Sequence, residues 1–101
     1  MKYNKLVRDK IPAIIKQNGQ TPLTHMADQQ EYWLKLKQKL QEEVDEFQKS
    51  DKVEELADVL EVIEAICDFK KFKQKELLAV KNKKAERRGK FIKKIILEEV
   101  E

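Results

Sequence analysis

Between Trp33 and Phe47 the apolar residues recur at intervals of three and four, as Trp33, Leu36, Leu40, Val44 and Phe47. That is the period of a helix with one buried stripe. Asp28 stands three residues ahead of Glu31 in the manner of a capping box, so the helix is predicted from near Gln29 to about Gln48. Asp51 and Glu54 repeat the signal after a short polar break, and a second long helix is predicted to run to about Phe69. Each helical residue advances the side chain by roughly 100°. With Leu60 as zero, Val53, Leu56, Ile63 and Cys67 fall within about 60° of it and form the expected core stripe. Glu54, Glu61 and Asp68 lie near about +100°, with Glu64 between them and the stripe, as a solvated edge. Glu55 and Asp58 do not join that edge. They fall near about −140° and +160°, among Val59, Val62 and Ile66, on a second apolar face.

The rest of the chain adds smaller elements. Pro12 near the start and Gly19 just past the end bracket a short helix over about Ile11 to Gln17, with Ile11, Ile14 and Ile15 on its inner side. Leu23–Met26 alternates and is expected as a short strand. Lys70–Arg88, closed by Gly89, is a third long helical segment whose thin seam is Phe72, Leu77, Leu78 and Ala85. Phe91–Leu97, rich in β-branched residues, is expected as a strand or extended arm. The expected fold class is therefore all-α, with short β segments near residues 23–26 and 91–97, in a single domain of 101 residues.

Two carboxylate pairs carry the chemistry. Glu43 and Glu46 precede the polar break and Glu55 and Asp58 follow it, each pair three residues apart and so on one helix face. A connection of a few residues lays the two helices antiparallel, and the four acids can then converge. Carboxylates embedded in an apolar face are costly unless paired or bound to a cation. Hard oxygen donors of this kind suit Mg²⁺, with Mn²⁺ as a substitute. The competing reading is that these charges face water or pair with lysines. With one His and one Cys in the chain, a zinc site of the usual ligand types is excluded.

Charge changes the picture further. The net charge of +3 hides an acidic centre and a basic flank. Residues 31–68 hold 5 basic and 12 acidic side chains, a net of −7, whereas residues 70–94 hold 12 basic and 2 acidic, a net of +10. The combination suits a metal site that receives a polyanion, a nucleic-acid patch, or helices that pair by charge. Arg8 and Lys10, ahead of the first helix, are placed either to hold a phosphate or to serve as ordinary surface cations. His25, alone in a connection, reads as a surface residue, and Cys67 as a small core residue in a reducing compartment. No apolar run reaches membrane-spanning length and no signal-peptide pattern opens the sequence, so a cytoplasmic location is expected. With 41% charged residues the core is small, which favours a helical dimer or tetramer.

Glu42-Glu43-x-x-Glu46 followed by Glu55-x-x-Asp58 resembles the EExxE…ExxD signature of the all-α nucleoside triphosphate pyrophosphohydrolases, the MazG-like superfamily. Asn4–Pro12 (NKLVRDKIP), Lys39–Glu43 (KLQEE) and Arg88-Gly89-x-Phe91 sharpen the likeness to its small branch, described as phosphoribosyl-ATP pyrophosphohydrolase-like. The resemblance spans nearly the whole chain. It implies an antiparallel helical bundle assembled as a homodimer or homotetramer, with Glu43, Glu46, Glu55 and Asp58 as Mg²⁺ ligands. Arg8, Lys10, Lys84 and Arg88 would bind substrate phosphates. Glu42, Glu43 and Glu46 are the candidate catalytic glutamates, the role of Glu42 being open. The implied reaction cleaves a nucleoside triphosphate between its α- and β-phosphates, giving monophosphate and pyrophosphate, with house-cleaning of non-standard nucleotides as one use. Two departures stand out: the spacing from Glu46 to Glu55 is short, and Lys90 occupies the place of a second glycine after Arg88-Gly89. The rival readings are a basic helical nucleic-acid module built on residues 70–94, and a non-catalytic helical oligomer.

Overall fold

The computed structural model describes residues 3–101. Four helices follow one another, α1 (Ile11–Gln17), α2 (Gln29–Ser50), α3 (Val53–Lys70) and α4 (Gln74–Arg88). The first of these has the expected bounds. Pro12 sits in its first turn, and Gly19 follows its end at φ +83°, a left-handed conformation that favours glycine. Ile11 and Ile15 are half-buried, whereas Ile14, expected to face inward, is exposed.

Asp28 caps α2 as its sequence signal predicts, its carboxylate accepting the Glu31 N–H at 2.9 Å. The second half of that capping box is not made. Glu31 turns its side chain instead to His25 Nε2, 3.0 Å away on the exposed surface. At the other end of α2, Asp51 does not cap α3 but closes α2, in a left-handed conformation (φ 57°) with its N–H donating to the Phe47 carbonyl at 2.8 Å. Asp51 and Lys52 are then the whole connection between α2 and α3. So short a link makes the two helices an antiparallel hairpin, the one extensively packed pair of helices among the described residues.

The hairpin contains the core. Leu36 of α2 is 1% exposed, and Trp33, Leu40, Val44 and Phe47 of the same predicted stripe are half-buried. On α3 the expectation is reversed. The face holding Val59, Val62 and Ile66 packs inward, with Val62 buried, whereas Leu60, Leu56 and Val53 of the predicted core stripe are exposed. Cys67 is the one residue of that stripe that is fully buried. α3 has two apolar faces, and the period of one helix does not say which of them a neighbour in the same chain will cover. At the open end of the hairpin Trp33 stacks on Phe69 with centroids 5.3 Å apart, and Tyr32 meets the same ring edge-on at 5.5 Å. Lys37 and Lys70 both lie over Trp33 at 5.2 Å.

α3 ends where the third long helical segment was expected to begin. Lys71 adopts φ 61° and Phe72 N–H reaches back to the Cys67 carbonyl at 2.8 Å, with Lys71 N–H directed to Asp68. This is the paired hydrogen-bond arrangement that ordinarily places glycine at the left-handed position. A lysine there costs about 1 kcal/mol in backbone strain. Lys71→Gly should therefore stabilise the protein slightly, by up to about 1 kcal/mol, read as a rise in the urea midpoint.

Neither expected β segment forms. Leu23 and Met26 are almost wholly exposed, as are Phe91 and Ile92, and among the described residues there is no strand. A strand needs a ladder partner for its N–H and C=O groups, and neither stretch has one among the described residues. Phe91–Lys93 instead makes a bend and turn, with Lys94 in a left-handed conformation at φ 59°. No described helix is long and apolar enough to cross a membrane.

Candidate metal centre

The two-residue connection sets the level of each acid along the hairpin. Glu46 and Glu43 lie about 7 and 12 Å of helix rise before Asp51, and Glu55 and Asp58 about 6 and 10 Å after it. Each acid of α2 thus faces the height of one on α3. Because the Val59–Val62–Ile66 face turns toward α2, Glu55 and Asp58 are carried inward with it. Glu43, Glu55 and Asp58, all half-buried, bring one carboxylate oxygen each within 4.8 Å of the others. Glu46 is exposed and lies outside this group of three, although its charge is felt at Glu55.

The electrostatics record the crowding. Partial burial and the neighbouring carboxylates of Asp58, Glu46 and Glu43 push the Glu55 carboxyl above the usual carboxylate range. Raising an acid's pKa in the folded state means that ionising it costs stability, and the cost grows as pH rises from the ordinary carboxyl pKa through the raised one. A divalent cation among these oxygens would reverse the sign. Glu55→Gln is expected to raise the melting temperature in EDTA, by removing the repulsion, and, if the cluster takes a cation, to abolish most of any stabilisation by added Mg²⁺. Paired thermal melts with and without Mg²⁺ read both effects.

A segment N-terminal to α1 crosses this side of the hairpin, held at three points. Lys5 pairs with Glu42 at 3.0 Å, Lys35 donates to the Asn4 carbonyl at 2.7 Å, and Arg8 reaches Asp58 at 2.7 Å and Glu61 at 3.6 Å. Arg8, expected from sequence as a phosphate cation, thus stands at the carboxylate group itself. Glu42 is directed to this segment: Lys5 and Lys39 (3.4 Å) both hold it, and Lys39 also reaches Glu43 at 3.2 Å. Burial alone would raise the Glu42 carboxyl, but the Lys5 hydrogen bond and the Lys39 and Lys5 charges outweigh it and hold it below the usual range. Lys5 is raised in turn, chiefly by its hydrogen bond to Glu42.

The other expected cations lie apart. Lys10 is exposed as the residue preceding α1. Lys84 and Arg88 are exposed on α4, on the same side of that helix as Val80, Lys83 and Arg87. Among the described residues none of the three is ion-paired.

Sequence reasoning missed Lys5, Lys39 and Glu61. Lys39 was legible, standing three and four residues before Glu42 and Glu43. Glu61 was assigned to the solvated edge, and it is exposed, but it also receives Arg8. Lys5 meets Glu42 across 37 residues of sequence, a pairing that no local spacing encodes.

No protein-family profile matches the chain, and no solved structure does. An uncharacterised protein of Mycolicibacterium smegmatis is 45% identical over 47 residues, which cover 46% of this chain and 48% of that protein. The chain thus spans about half the length of the curated relative it matches.

Proposed function

We propose that the protein is a Mg²⁺-dependent nucleoside triphosphate pyrophosphohydrolase. The observation that carries this reading is the convergence of Glu43, Glu55 and Asp58 from two helices onto one point, within 4.8 Å of one another. Their donor chemistry fits Mg²⁺ or Mn²⁺: three carboxylates, hard oxygen ligands, no imidazole or thiolate among them. Sequence resemblance to the EExxE…ExxD pyrophosphohydrolases supplies the reaction class, and four of the five acids of that pattern, Glu43, Glu46, Glu55 and Asp58, lie on facing levels of the hairpin. A bound cation would neutralise phosphate charge and lower the pKa of a water molecule there.

The chain's own groups have distinct tasks in this scheme. Glu43, Glu55 and Asp58 would hold the cation, with Glu46 at their flank. Glu46 has no ion-pair partner among the described residues, and it takes the proton of the attacking water. Glu42 is saturated by two lysines and anchors the Lys5–Arg8 segment; its depressed pKa makes it the poorer base. Arg8 moves from Asp58 to a substrate phosphate, and positive charge from Lys10, Lys84 and Arg88 stabilises the leaving pyrophosphate. Water oxygen bonds to phosphorus as the α–β bridging P–O bond breaks. The products are a nucleoside monophosphate and pyrophosphate. Chromatographic identification of those two products, rather than diphosphate and orthophosphate, tests the bond that is cleaved.

In this reading two or more hairpins pair into a helical bundle, and the protein acts as a homodimer or homotetramer in the cytoplasm. The rival nucleic-acid reading draws on the cations of residues 70–94, with only Phe72 and Phe91 as stacking surfaces there. Polyanion binding that falls steeply with salt and needs no Mg²⁺ would favour it.

A further inference from the structure

Lys39 stands three and four residues ahead of Glu42 and Glu43 on α2, and Asp58 and Glu61 stand three apart on α3. Both spacings bring side chains together on the helix surface. One cation lies between the two acids on each helix. Lys39 Nζ is 3.2 Å from Glu43 and 3.4 Å from Glu42. The Arg8 guanidinium places Nη2 at 2.7 Å from Asp58 and Nη1 at 3.6 Å from Glu61. Glu43 and Asp58 belong to the group of three converging oxygens, whereas Glu42 and Glu61 do not. Glu55, the third member, has no ion-pair partner among the described residues.

Lys39 and Arg8 thus bring two positive charges to the cluster, the charge of one Mg²⁺ or Mn²⁺. A divalent cation among the three oxygens would lie close to both side chains, and like charges at short range repel. Each side chain has a second carboxylate to withdraw to. Lys39 already touches Glu42, and Arg8, bonded to Asp58 through one arm of its planar fork, already directs the other arm to Glu61. The backbone on either side of Arg8 is tied down. Before it, Lys5 pairs with Glu42 at 3.0 Å and Lys35 holds the Asn4 carbonyl at 2.7 Å; after it, the Ile11 N–H donates to the Arg8 carbonyl at 3.0 Å. Side-chain rotation is therefore enough for the exchange, and the segment need not lift.

We propose that Lys39 and Arg8 serve as exchangeable counter-ions of Glu43 and Asp58, and that Glu42 and Glu61 receive them when a divalent cation is taken up. The exchange rests on the cation-binding reading above. It makes Glu42 and Glu61 positioning residues, which act on the site through Lys39 and Arg8 without touching the metal. Glu61 then keeps Arg8 beside the cluster, within reach of an arriving phosphate.

Mn²⁺ titrations of the full chain, followed by calorimetry, test the exchange without turnover. Arg8→Gln removes a competitor and should bind Mn²⁺ about two- to fivefold more tightly than wild type, the scale of an ion pair this exposed. Glu61→Gln removes the receiving carboxylate and should bind Mn²⁺ about two- to fivefold more weakly. Arg8 and Glu61 are both exposed, so these variants should fold as wild type does. The double variant separates a hand-over from charge alone. With Arg8 replaced, Glu61 has nothing to receive, and Glu61→Gln should leave the affinity unchanged. A carboxylate acting only through its field would weaken binding equally in both backgrounds. Lys39→Gln should tighten binding as Arg8→Gln does, and an unchanged or weaker affinity there overturns the part given to Lys39. Unchanged or weaker binding in Arg8→Gln, or an equal Glu61→Gln effect in both backgrounds, overturns the exchange while the cation reading stands. Mn²⁺ bound by neither wild type nor Arg8→Gln overturns both.

Discussion

Replacing Asp58 by alanine is expected to lower Mg²⁺-dependent hydrolysis by at least about 100-fold, the scale on which even the outer partners of metal ligands act, while leaving helical content unchanged. Asp58 contributes one of the three converging oxygens, and it is the acid that Arg8 touches at 2.7 Å. Its loss would remove both a ligand of the proposed cation and the point where the N-terminal segment meets the cluster. The fold does not depend on it to a comparable degree. Its ion pair with Arg8 is half-exposed, a setting in which such pairs contribute about 0–1 kcal/mol. The removal of one of several crowded negative charges offsets part of even that. Circular dichroism at 222 nm and turnover, measured on one preparation, separate the two effects. Full activity in the variant would take Asp58 out of the site.

Leu36→Ala should have the largest effect on stability. Among the described residues Leu36 is the most deeply buried side chain, at 1% exposure, and only Val62 and Cys67 join it as buried apolar residues. Deleting a buried leucine ordinarily costs about 2–5 kcal/mol through lost transfer energy and the cavity left behind. Domains of this size have stabilities of about 5–15 kcal/mol, so the loss is a large share of the whole. The urea midpoint should fall by a third or more, and the activity lost on warming should track the loss of helix signal. Leu60→Ala is a contrast, because Leu60 is 62% exposed in the single chain. Any marked destabilisation by that change, growing weaker as protein concentration rises, would come from contact between copies.

How much of this was legible beforehand depends on the range of the interaction. The helices were readable because their signals are local: the three-and-four spacing from Trp33 to Phe47, the Asp28 cap, and the Pro12 and Gly19 brackets of α1. The facing levels of the carboxylates were readable for the same reason, since the link is short and the helix rise is fixed. The inward face of α3 was not. Leu60 and Val62 both belong to apolar stripes, and only the neighbour decides between them. The placement of Glu55 and Asp58 among Val59, Val62 and Ile66 was itself a clue, for an apolar face carrying two acids is an odd choice of solvent surface and a sensible choice of site wall. The two β segments failed because alternation at Leu23–Met26 and β-branched composition at Phe91–Leu97 indicate suitability for a sheet, not the presence of a partner strand. The break at Lys71 failed because a lysine takes the position that glycine usually marks. Lys5 on Glu42 and Arg8 on Asp58 were beyond local reasoning, being contacts across 37 and 50 residues.

The central claim is that three carboxylates of one hairpin hold a divalent cation for phosphoanhydride hydrolysis. The most direct test is pyrophosphate release from a panel of standard and modified nucleoside triphosphates, each with Mg²⁺ and with EDTA. The account predicts release from at least one member that requires Mg²⁺ and disappears with EDTA. Silence across the panel, together with no detectable Mg²⁺ or Mn²⁺ binding by calorimetry, would contradict it.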